Sequence, residues 1–183
     1  MKIAYYLDND DRTLLECAGK AIASAKKHMP DAEIVRLKAI SEGTFVQRRL
    51  TAQSKVEGDC IFIDVDVIFN DDVSNIFDYE FDVAIPTDTQ PGTPDVRFDG
   101  GVSFSRNPEV WKQLCEEIGH LDFQKKNGDW QPIMEAQTRF FEERRFKTLV
   151  LPGQIYCSVP YSKDAPIDAK IVHYRGPRKA WML

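Results

Sequence analysis

The chain has 183 residues, 43% of them hydrophobic, and a formal net charge of −5, which predicts a single soluble globular domain with a sizeable core. Its basic residues form no long run, so a nucleic acid is excluded as the main partner, because binding phosphate backbones requires a positive face. Every apolar stretch is well short of the roughly 20 residues that span a bilayer, so we expect no transmembrane segment.

The N-terminus and the cysteines indicate the compartment. The opening sequence MKIAYYLDNDD becomes acidic too early for a secretory signal peptide. The four cysteines are widely spaced and form no CxxC pair; they are Cys17, Cys60, Cys115 and Cys157. This spacing is unlike a zinc site and is typical of free thiols in a reducing compartment. We therefore expect a cytoplasmic protein, and a peripheral position at the inner face of the membrane stays open.

The first forty residues predict a β-α-β unit. KIAYYL (2–7) predicts a buried strand, and an acidic turn follows it. Apolar residues then recur at helical spacing, and Thr13 and Glu16 have the spacing of a capping box. The helix is therefore expected to begin at Thr13 and to end at Pro30, before a second strand, AEIVRL (32–37). This order is typical of a parallel sheet with helices on its faces.

The rest of the chain continues the alternation of strands and helices. A helix is expected over 46–57, ahead of the apolar run CIFIDVDVIF (60–69). The later segments are a strand at 81–86, a loop at 87–97 that could act as a lid, a strand at 98–105, a helix at 107–119 with Asn107 as N-cap and Pro108 first, a helix at 129–145, strands at 146–152 and 170–174, and an irregular basic tail.

Two carboxylates, Asp64 and Asp66, interrupt the run 60–69. Buried carboxylates need something to compensate their charge. Strand alternation places both on one face, about 7 Å apart, and a bend where the strand ends would bring both to one ion. Carboxylate oxygens suit Mg²⁺ or Mn²⁺, and parallel sheets bind ligands beyond the carboxyl ends of their strands. The alternative is an exposed pair, or ion pairs with Arg48 or Arg49.

A second polar cluster lies near the C-terminus, in IVHYRGPRKAWM (171–182). His173 could ligate a metal through a ring nitrogen, and Gly176 allows the backbone to approach a ligand closely. Lys179 suits phosphate oxygens. Trp181 could pack over a bound ligand or simply anchor the tail. The alternative is a solvated basic tail with an unrelated histidine.

Together with FDGGVSFSRNPEVW (98–111), these two stretches resemble glycosyltransferase family 8, the family of glycogenin and bacterial galactosyltransferases. That family has, in order, a first strand with an acidic turn, an Arg-Leu helix, an LDxD strand, FNxGV, an acidic-Gln helix and HYxGxxKPW. The resemblance covers residues 3–182. It implies the GT-A (nucleotide-diphospho-sugar transferase) fold, an α/β fold with a mostly parallel Rossmann-like sheet flanked by helices. Residues 1–183 would form one domain, with the tail 174–183 folding over the donor site.

The resemblance also implies an activity. The chain would be a metal-dependent glycosyltransferase of the hexosyltransferase type. It would transfer sugar from a nucleoside-diphosphate sugar, with a UDP-sugar favoured, to a glycan, lipid or protein acceptor, and Mn²⁺ or Mg²⁺ would bridge the diphosphate. One alternative keeps this metal-diphosphate site in a nucleotidyltransferase or phosphohydrolase, although DNDDRT (8–13) is acidic where a Gly-rich phosphate loop would be expected. Another is a non-catalytic GT-A-like binding module, which the short chain and the loose match of EAQTRF favour and the intact Asp-x-Asp, His and Lys set argues against.

The resemblance assigns roles to individual residues by position. The metal ligands would be Asp64, Asp66 and His173. The donor-binding residues would be Tyr6, Asp8, Asp10, Arg49, Asp64, Gly100, Gly101, Gly176 and Lys179. The catalytic residues at the sugar pocket would be Asp99, Glu135 and Gln137.

The sequence departs from the family pattern at several positions. Asp99 replaces the usual Asn, Ala180 replaces the Pro before the tryptophan, and EAQTRF (135–140) matches DQxxLN only loosely. These departures leave the stereochemical outcome open. Purely structural roles are alternatives at other positions. Asp8 and Asp10 could cap the first helix rather than contact a nucleotide. The two consecutive glycines could likewise serve a strand bulge or close packing.

Overall fold

The structure, a computed structural model, describes residues 1–38, 42–88, 97–122, 130–164 and 167–183. The strands in this part of the chain are β1 (Lys2–Tyr6), β2 (Glu33–Leu37), β3 (Cys60–Ile63), β4 (Val67–Phe69), β5 (Val83–Pro86), β6 (Val102–Ser105), β7 (Thr148–Leu151) and β8 (Ile171–His173). The α-helices are α1 (Arg12–His28), α2 (Phe45–Gln53), α3 (Pro108–Ile118), α4 (Gln131–Glu142), α5 (Gly153–Tyr156) and α6 (Lys179–Met182), with 3₁₀ turns at Ser74–Asp78 and Gly176–Arg178.

Six strands form the central sheet in the order β2-β1-β3-β6-β5-β7. The pairings β1–β2, β1–β3 and β5–β7 are parallel, whereas β6 lies antiparallel between β3 and β5. The sheet is therefore mostly parallel, and the predicted α/β class is confirmed.

Both faces of this sheet are covered, which explains why its central strands, β3 and β6, are buried along their whole length. Ile3 and Ile61 pack on one side with the buried residues of α1. Ala4 and Phe62, each next in sequence, pack on the other side with α2, α3 and α4. Successive side chains of a strand point to opposite faces, so each strand supplies both layers of the core.

A separate two-stranded sheet brings the C-terminal segment to the acidic pair. In it, β4 and β8 are antiparallel, with Val67 opposite His173. The N–H of Tyr174 donates to the carbonyl of Asp66 at 2.8 Å. This register places His173 directly beside the chain segment that carries both carboxylates.

The ends of α1 differ from the prediction. Thr13 is not the N-cap, because Asp11 already has a non-helical backbone and its side chain accepts a hydrogen bond from the N–H of Leu14 at 3.0 Å. The helix therefore begins at Arg12, and it ends at His28, two residues before Pro30. Residue 11, rather than residue 8 or 10, supplies the cap.

Several other boundaries also differ. The helix predicted over 46–57 ends at Gln53, and regular strand structure within 98–105 begins only at Val102. The predicted cap of α3 is confirmed, since Asn107 accepts from the N–H of Glu109 at 3.1 Å. Of the predicted loop at 87–97, residues 89–96 lie outside the described part of the chain.

The C-terminal tail is helical rather than irregular. A 3₁₀ turn leads directly into α6, and Met182 is buried in the same core cluster as α1. Lys20 of α1 donates to the carbonyl of Met182 at 2.8 Å. These contacts fix the tail to the body of the protein and give it regular structure. Among the described residues, no helix has both the length and the apolar character needed to cross a membrane.

Candidate metal centre and its surroundings

The three residues predicted as metal ligands lie together in the structure. β3 ends at Ile63 and the backbone turns before β4, so strand alternation is broken between the two acids. His173 Nε2 lies 3.4 Å from Asp66 Oδ1 and 3.7 Å from Asp64 Oδ2. One ligand atom from each residue lies within 4.8 Å of the other two. Two carboxylates and an imidazole form a donor set that fits a hard divalent cation such as Mn²⁺ or Mg²⁺.

His173 is almost completely enclosed, with 3% of its surface exposed. Its other ring nitrogen, Nδ1, lies 3.3 Å from Asp99 Oδ1 and 3.6 Å from Cys157 Sγ. Burial by itself would lower the pKa of His173, but the charge of Asp99 and hydrogen bonds with Asp66 and Asp99 raise that pKa well above its ordinary value. Carboxylates therefore face both nitrogens of this imidazole.

Close packing against the histidine ring explains one of the two consecutive glycines. A Cβ atom on Gly101 would lie 2.2 Å from His173 Cε1, far inside van der Waals contact. A Cβ atom on Gly100 would meet the side chain of Gln137 at 3.1 Å. The glycines let β6 approach the C-terminal segment on one side and α4 on the other.

Each acid of the turn has its own cation. Arg49 Nη2 lies 2.9 Å from Asp64 Oδ1 and donates to the carbonyl of Gly100 at 3.0 Å. Lys179 Nζ lies 2.5 Å from Asp66 Oδ2. Burial opposes the ionisation of Asp66, but its contacts with His173 and Lys179 hold its pKa below the usual range. The ion pair between Asp64 and Arg49, which the sequence offered as an alternative to metal binding, is present in the structure. Burial nevertheless raises the pKa of Asp64 above its ordinary value.

Asp99, predicted to contact the sugar, is buried with both carboxylate oxygens engaged. Its Oδ1 faces His173 and accepts from the N–H of Gly101 at 2.7 Å. Its Oδ2 accepts from Arg175 Nη1 at 3.1 Å, and Arg175 also binds Asp88. Burial would raise the pKa of Asp99, but the charges of His173 and Arg175 lower it to about 2. Asp99 thus lies beside His173, one of the three candidate metal ligands, with neither of its oxygens free.

The residues predicted beside the nucleotide base separate into two groups. Tyr6 donates its hydroxyl to Asp8 Oδ1 at 2.9 Å, and Asp8 is also ion-paired with Arg48. Asp10 instead lies in an exposed ion pair with Arg36, with N–O distance 2.8 Å. The structure therefore joins Tyr6 and Asp8 at the carboxyl end of β1 and leaves Asp10 apart from them.

The remaining predicted residues also differ in placement. Gly176 has φ +65°, a left-handed conformation that favours glycine, and it begins the turn that leads to Lys179. The side chain of Gln137, on α4, lies 3.1 Å from the point that a Cβ atom on Gly100 would occupy. Glu135, half a turn earlier in α4, accepts a hydrogen bond from Gln131 at 2.7 Å.

Sequence reasoning did not single out Arg175, Cys157 or Asp88. Arg175 lies inside the stretch HYRGPRKAW that carries the resemblance. A signal for Arg175 did exist, because Asp99 replaces the usual Asn, and an acid buried at that position needs a cation. Cys157 and Asp88 carry no local signal, because only the tertiary fold brings them to His173 and Arg175.

Comparison with known proteins identifies the fold. No protein-family model and no curated protein sequence matches the chain. A glycosyltransferase involved in glycosylation of the major capsid of PBCV-1 aligns with TM-score 0.67 and 12% identity over 99% of this chain and 97% of its own. The galactosyltransferase LgtC, in complex with donor and acceptor sugar analogues, aligns with TM-score 0.53 and 15% identity over 97% and 88%. Apo GlyE of Streptococcus pneumoniae TIGR4 aligns with TM-score 0.67 and 14% identity over 99% and 59%.

The chain has the GT-A fold of these glycosyltransferases. The fold class that the resemblance implied is thereby confirmed. Within this GT-A domain, the acidic turn after β3 lies where the carboxyl ends of β1 and β3 meet, because these two strands run parallel. Open α/β sheets bind their ligands at such a position.

Proposed function

We propose that this GT-A domain is a metal-dependent glycosyltransferase of the hexosyltransferase type, using a nucleoside-diphosphate sugar and favouring a UDP-sugar. The observation that carries the proposal is the convergence of Asp64, Asp66 and His173, with Lys179 beside them, at the carboxyl edge of the sheet. The solved structures with this fold support it, since they are glycosyltransferases and LgtC was crystallised with donor and acceptor sugar analogues.

Asp64, Asp66 and His173 would hold Mn²⁺ or Mg²⁺ in this proposal. When bound, the ion would supply Lewis-acid stabilisation of the charge that develops on the leaving diphosphate. Lys179 contributes a fixed cation at the same place, because its ammonium group already lies against Asp66 and can bind a phosphate oxygen. Gly176 precedes it in the turn and would let the backbone approach the diphosphate.

The tail 174–183 would form one wall of the donor site within a single domain spanning 1–183. Its 3₁₀ turn and α6 carry Gly176 and Lys179, and buried Met182 fixes its end. A wall anchored in the core keeps the phosphate-binding cation in place before the donor arrives, which lowers the entropy cost of binding.

The nucleotide and sugar would lie on either side of the ion. Tyr6 and Asp8 would contact the base from the end of β1, with Asp10 further out. The sugar pocket would include other predicted residues around the acidic turn. These are Arg49, Gly100, Gly101, Glu135 and Gln137. Arg49 supports this placement most directly, because it donates to the carbonyl of Gly100, and the side chain of Gln137 lies on the side of Gly100 that a Cβ atom would fill.

The acceptor would be a glycan, a lipid or a protein, and the protein would act in the cytoplasm or at the inner face of the membrane. These assignments follow from the resemblance and from the free thiols, since all four cysteines are unpaired.

The test follows nucleoside diphosphate release by the full chain from a panel of nucleotide sugars with Mn²⁺, with Mg²⁺ or with chelator. We expect slow Mn²⁺-dependent release from one donor, abolished by chelator and by Asp66→Asn. Asp71→Asn is the matched control, because Asp71 is also paired with a lysine, Lys170 at 2.8 Å, but is an exposed acid outside the candidate metal centre.

Other products would point to the competing activities. Release of nucleoside monophosphate or pyrophosphate would indicate a nucleotidyltransferase or phosphohydrolase. Donor binding without turnover in the presence of a range of acceptors would indicate a non-catalytic binding module. Absence of donor binding with every metal, measured by calorimetry, would refute the proposal.

A further inference from the structure

The ring of His173 can present Nε2 to an ion only if something fixes the other nitrogen. An imidazole ring can rotate and exchange its nitrogens, and metal-binding histidines are usually held by a hydrogen bond from the second N–H. Two groups lie near Nδ1 of His173: Asp99 Oδ1 at 3.3 Å and Cys157 Sγ at 3.6 Å. The contacts of Asp99 and of Cys157 decide which of the two orients the ring.

Asp99 is held rigidly as an acceptor. It is 1% exposed, the N–H of Gly101 donates to Oδ1, and Arg175 donates to Oδ2. The other nitrogen of Arg175 lies 2.9 Å from Asp88 Oδ1, so Arg175 binds both acids. A carboxylate oxygen accepts hydrogen bonds, so Asp99 Oδ1, 3.3 Å from Nδ1 of His173, is an acceptor for a proton on that nitrogen.

Cys157 is a weaker partner for the same nitrogen. Its distance is longer, and a thiol is a poor hydrogen-bonding group compared with a carboxylate. Asp99, Cys157 and His173 are close enough to one another to hold a metal, but both oxygens of Asp99 are already engaged, one by Arg175 and the other by the N–H of Gly101. We therefore assign Cys157 a packing role beside the imidazole ring.

We propose that Asp99 is a positioning residue that accepts the Nδ1 proton of His173 and so directs Nε2 towards Asp64 and Asp66. Arg175 supplies the charge that allows this additional carboxylate to be buried. The inference rests on the proposed function, because the ion presented with Nε2 is the one proposed there. This positioning role replaces the sugar-contacting role expected for Asp99. It also explains why an Asp can stand where the glycosyltransferase family 8 pattern has Asn, because Arg175 binds the added carboxylate.

The first test observes the ring without any metal. In protein labelled with ¹⁵N-histidine, the His173 Nδ1 proton should give a slowly exchanging, strongly downfield NMR signal, as a proton donated to a buried carboxylate does. Asp99→Ala should remove this signal. Asp88→Asn is the matched control, because it removes a carboxylate from Arg175 without touching His173. That control and Cys157→Ser should both keep the signal.

The second test measures affinity for Mn²⁺ alone, from the electron paramagnetic resonance of the free ion. Asp99→Ala should weaken binding by about 10–100-fold, as loss of an outer-sphere partner of a ligand does. Asp99→Asn keeps the shape of the side chain and should show a smaller loss, and it decides the matter if Asp99→Ala does not fold by circular dichroism. Asp88→Asn and Cys157→Ser should bind like the wild type.

The outcomes separate this inference from the proposed function. If neither Asp99 variant changes the Nδ1 signal or Mn²⁺ affinity, or if Cys157→Ser alone removes the signal, Asp99 does not position the ring. If the wild type binds no Mn²⁺, the metal site of the proposed function fails, and the NMR experiment still decides whether Asp99 orients His173.

Discussion

At the scale of single residues, the acidic turn shows how several charged groups can share a small buried volume. Asp66 and Asp99 are each almost fully buried, and each has a cation within hydrogen-bonding distance, Lys179 and Arg175 respectively. His173 lies between them and contacts both. Removing one partner from such a set leaves an uncompensated buried charge, which is far more costly than the pair itself is worth.

The sequence predicted part of this arrangement. Asp64, Asp66 and His173 could be identified because carboxylates in an apolar run and a histidine after a strand are locally visible. The part played by Asp99 could not, because FDGG alone does not say which way the carboxylate turns. That direction depends on Arg175, which is 76 residues away in the chain.

Gly101→Ala tests the packing of the histidine ring directly. The new Cβ atom would lie 2.2 Å from His173 Cε1, so either the ring or β6 must move. We expect the free energy of unfolding to fall by about 1–3 kcal/mol and Mn²⁺ affinity to fall with it, measured by urea denaturation and metal titration. Gly19→Ala is the control, because its Cβ would meet nothing within 4 Å in the middle of α1. It should stabilise by about 0.5–1 kcal/mol, and an equal effect of both substitutions would contradict the packing.

At the scale of elements, local rules located helices better than they located their ends. Asn107 and Pro108 correctly predicted the start of α3, since cap and proline agree there. In α1, however, two polar residues competed for the cap, and the capping-box spacing of Thr13 pointed two residues too far along the chain. The strand break after Ile63 was also not predictable in detail, because it depends on β4 pairing with β8, about a hundred residues later.

Replacing the two competing cap residues measures which of them starts α1. Asp11→Ala should lower the free energy of unfolding by about 1 kcal/mol, because the N–H of Leu14 loses its acceptor. Thr13→Ala should change it by less than about 0.5 kcal/mol, since Thr13 is exposed within the first turn. Urea denaturation measures both values. A larger loss for Thr13→Ala would restore the capping box predicted from the sequence.

At the scale of the whole molecule, the order of elements was the most predictable feature. The β-α-β opening, the apolar run before the acidic turn and the final strand all occur in the predicted order. Two features could not be predicted from the sequence: the antiparallel position of β6 between β3 and β5, and the small β4–β8 sheet. Both depend on pairing between distant segments of the chain. The small sheet matters most for the site, since it brings the C-terminal segment to the acidic turn.

The reactivity of the four cysteines checks this overall packing. Cys17, Cys60 and Cys157 are completely buried, the first and third on the α1 side of the sheet and Cys60 on the other side, whereas Cys115 on α3 is partly exposed. Burial also raises the pKa of Cys60 and of Cys157 to about 12, which suppresses the reactive thiolate. Treatment of the native protein with a maleimide should therefore modify Cys115 alone, as read by peptide mass spectrometry.

The denatured protein provides the reference for this experiment, because all four thiols should then react at similar rates. Cys115→Ser should leave the native protein essentially unmodified over the same period. Rapid modification of Cys157 in the native protein would contradict the complete burial of this thiol beside His173. That sulfur lies 3.6 Å from Nδ1 of His173, so its exposure would mean that the C-terminal segment does not stay packed against the acidic turn.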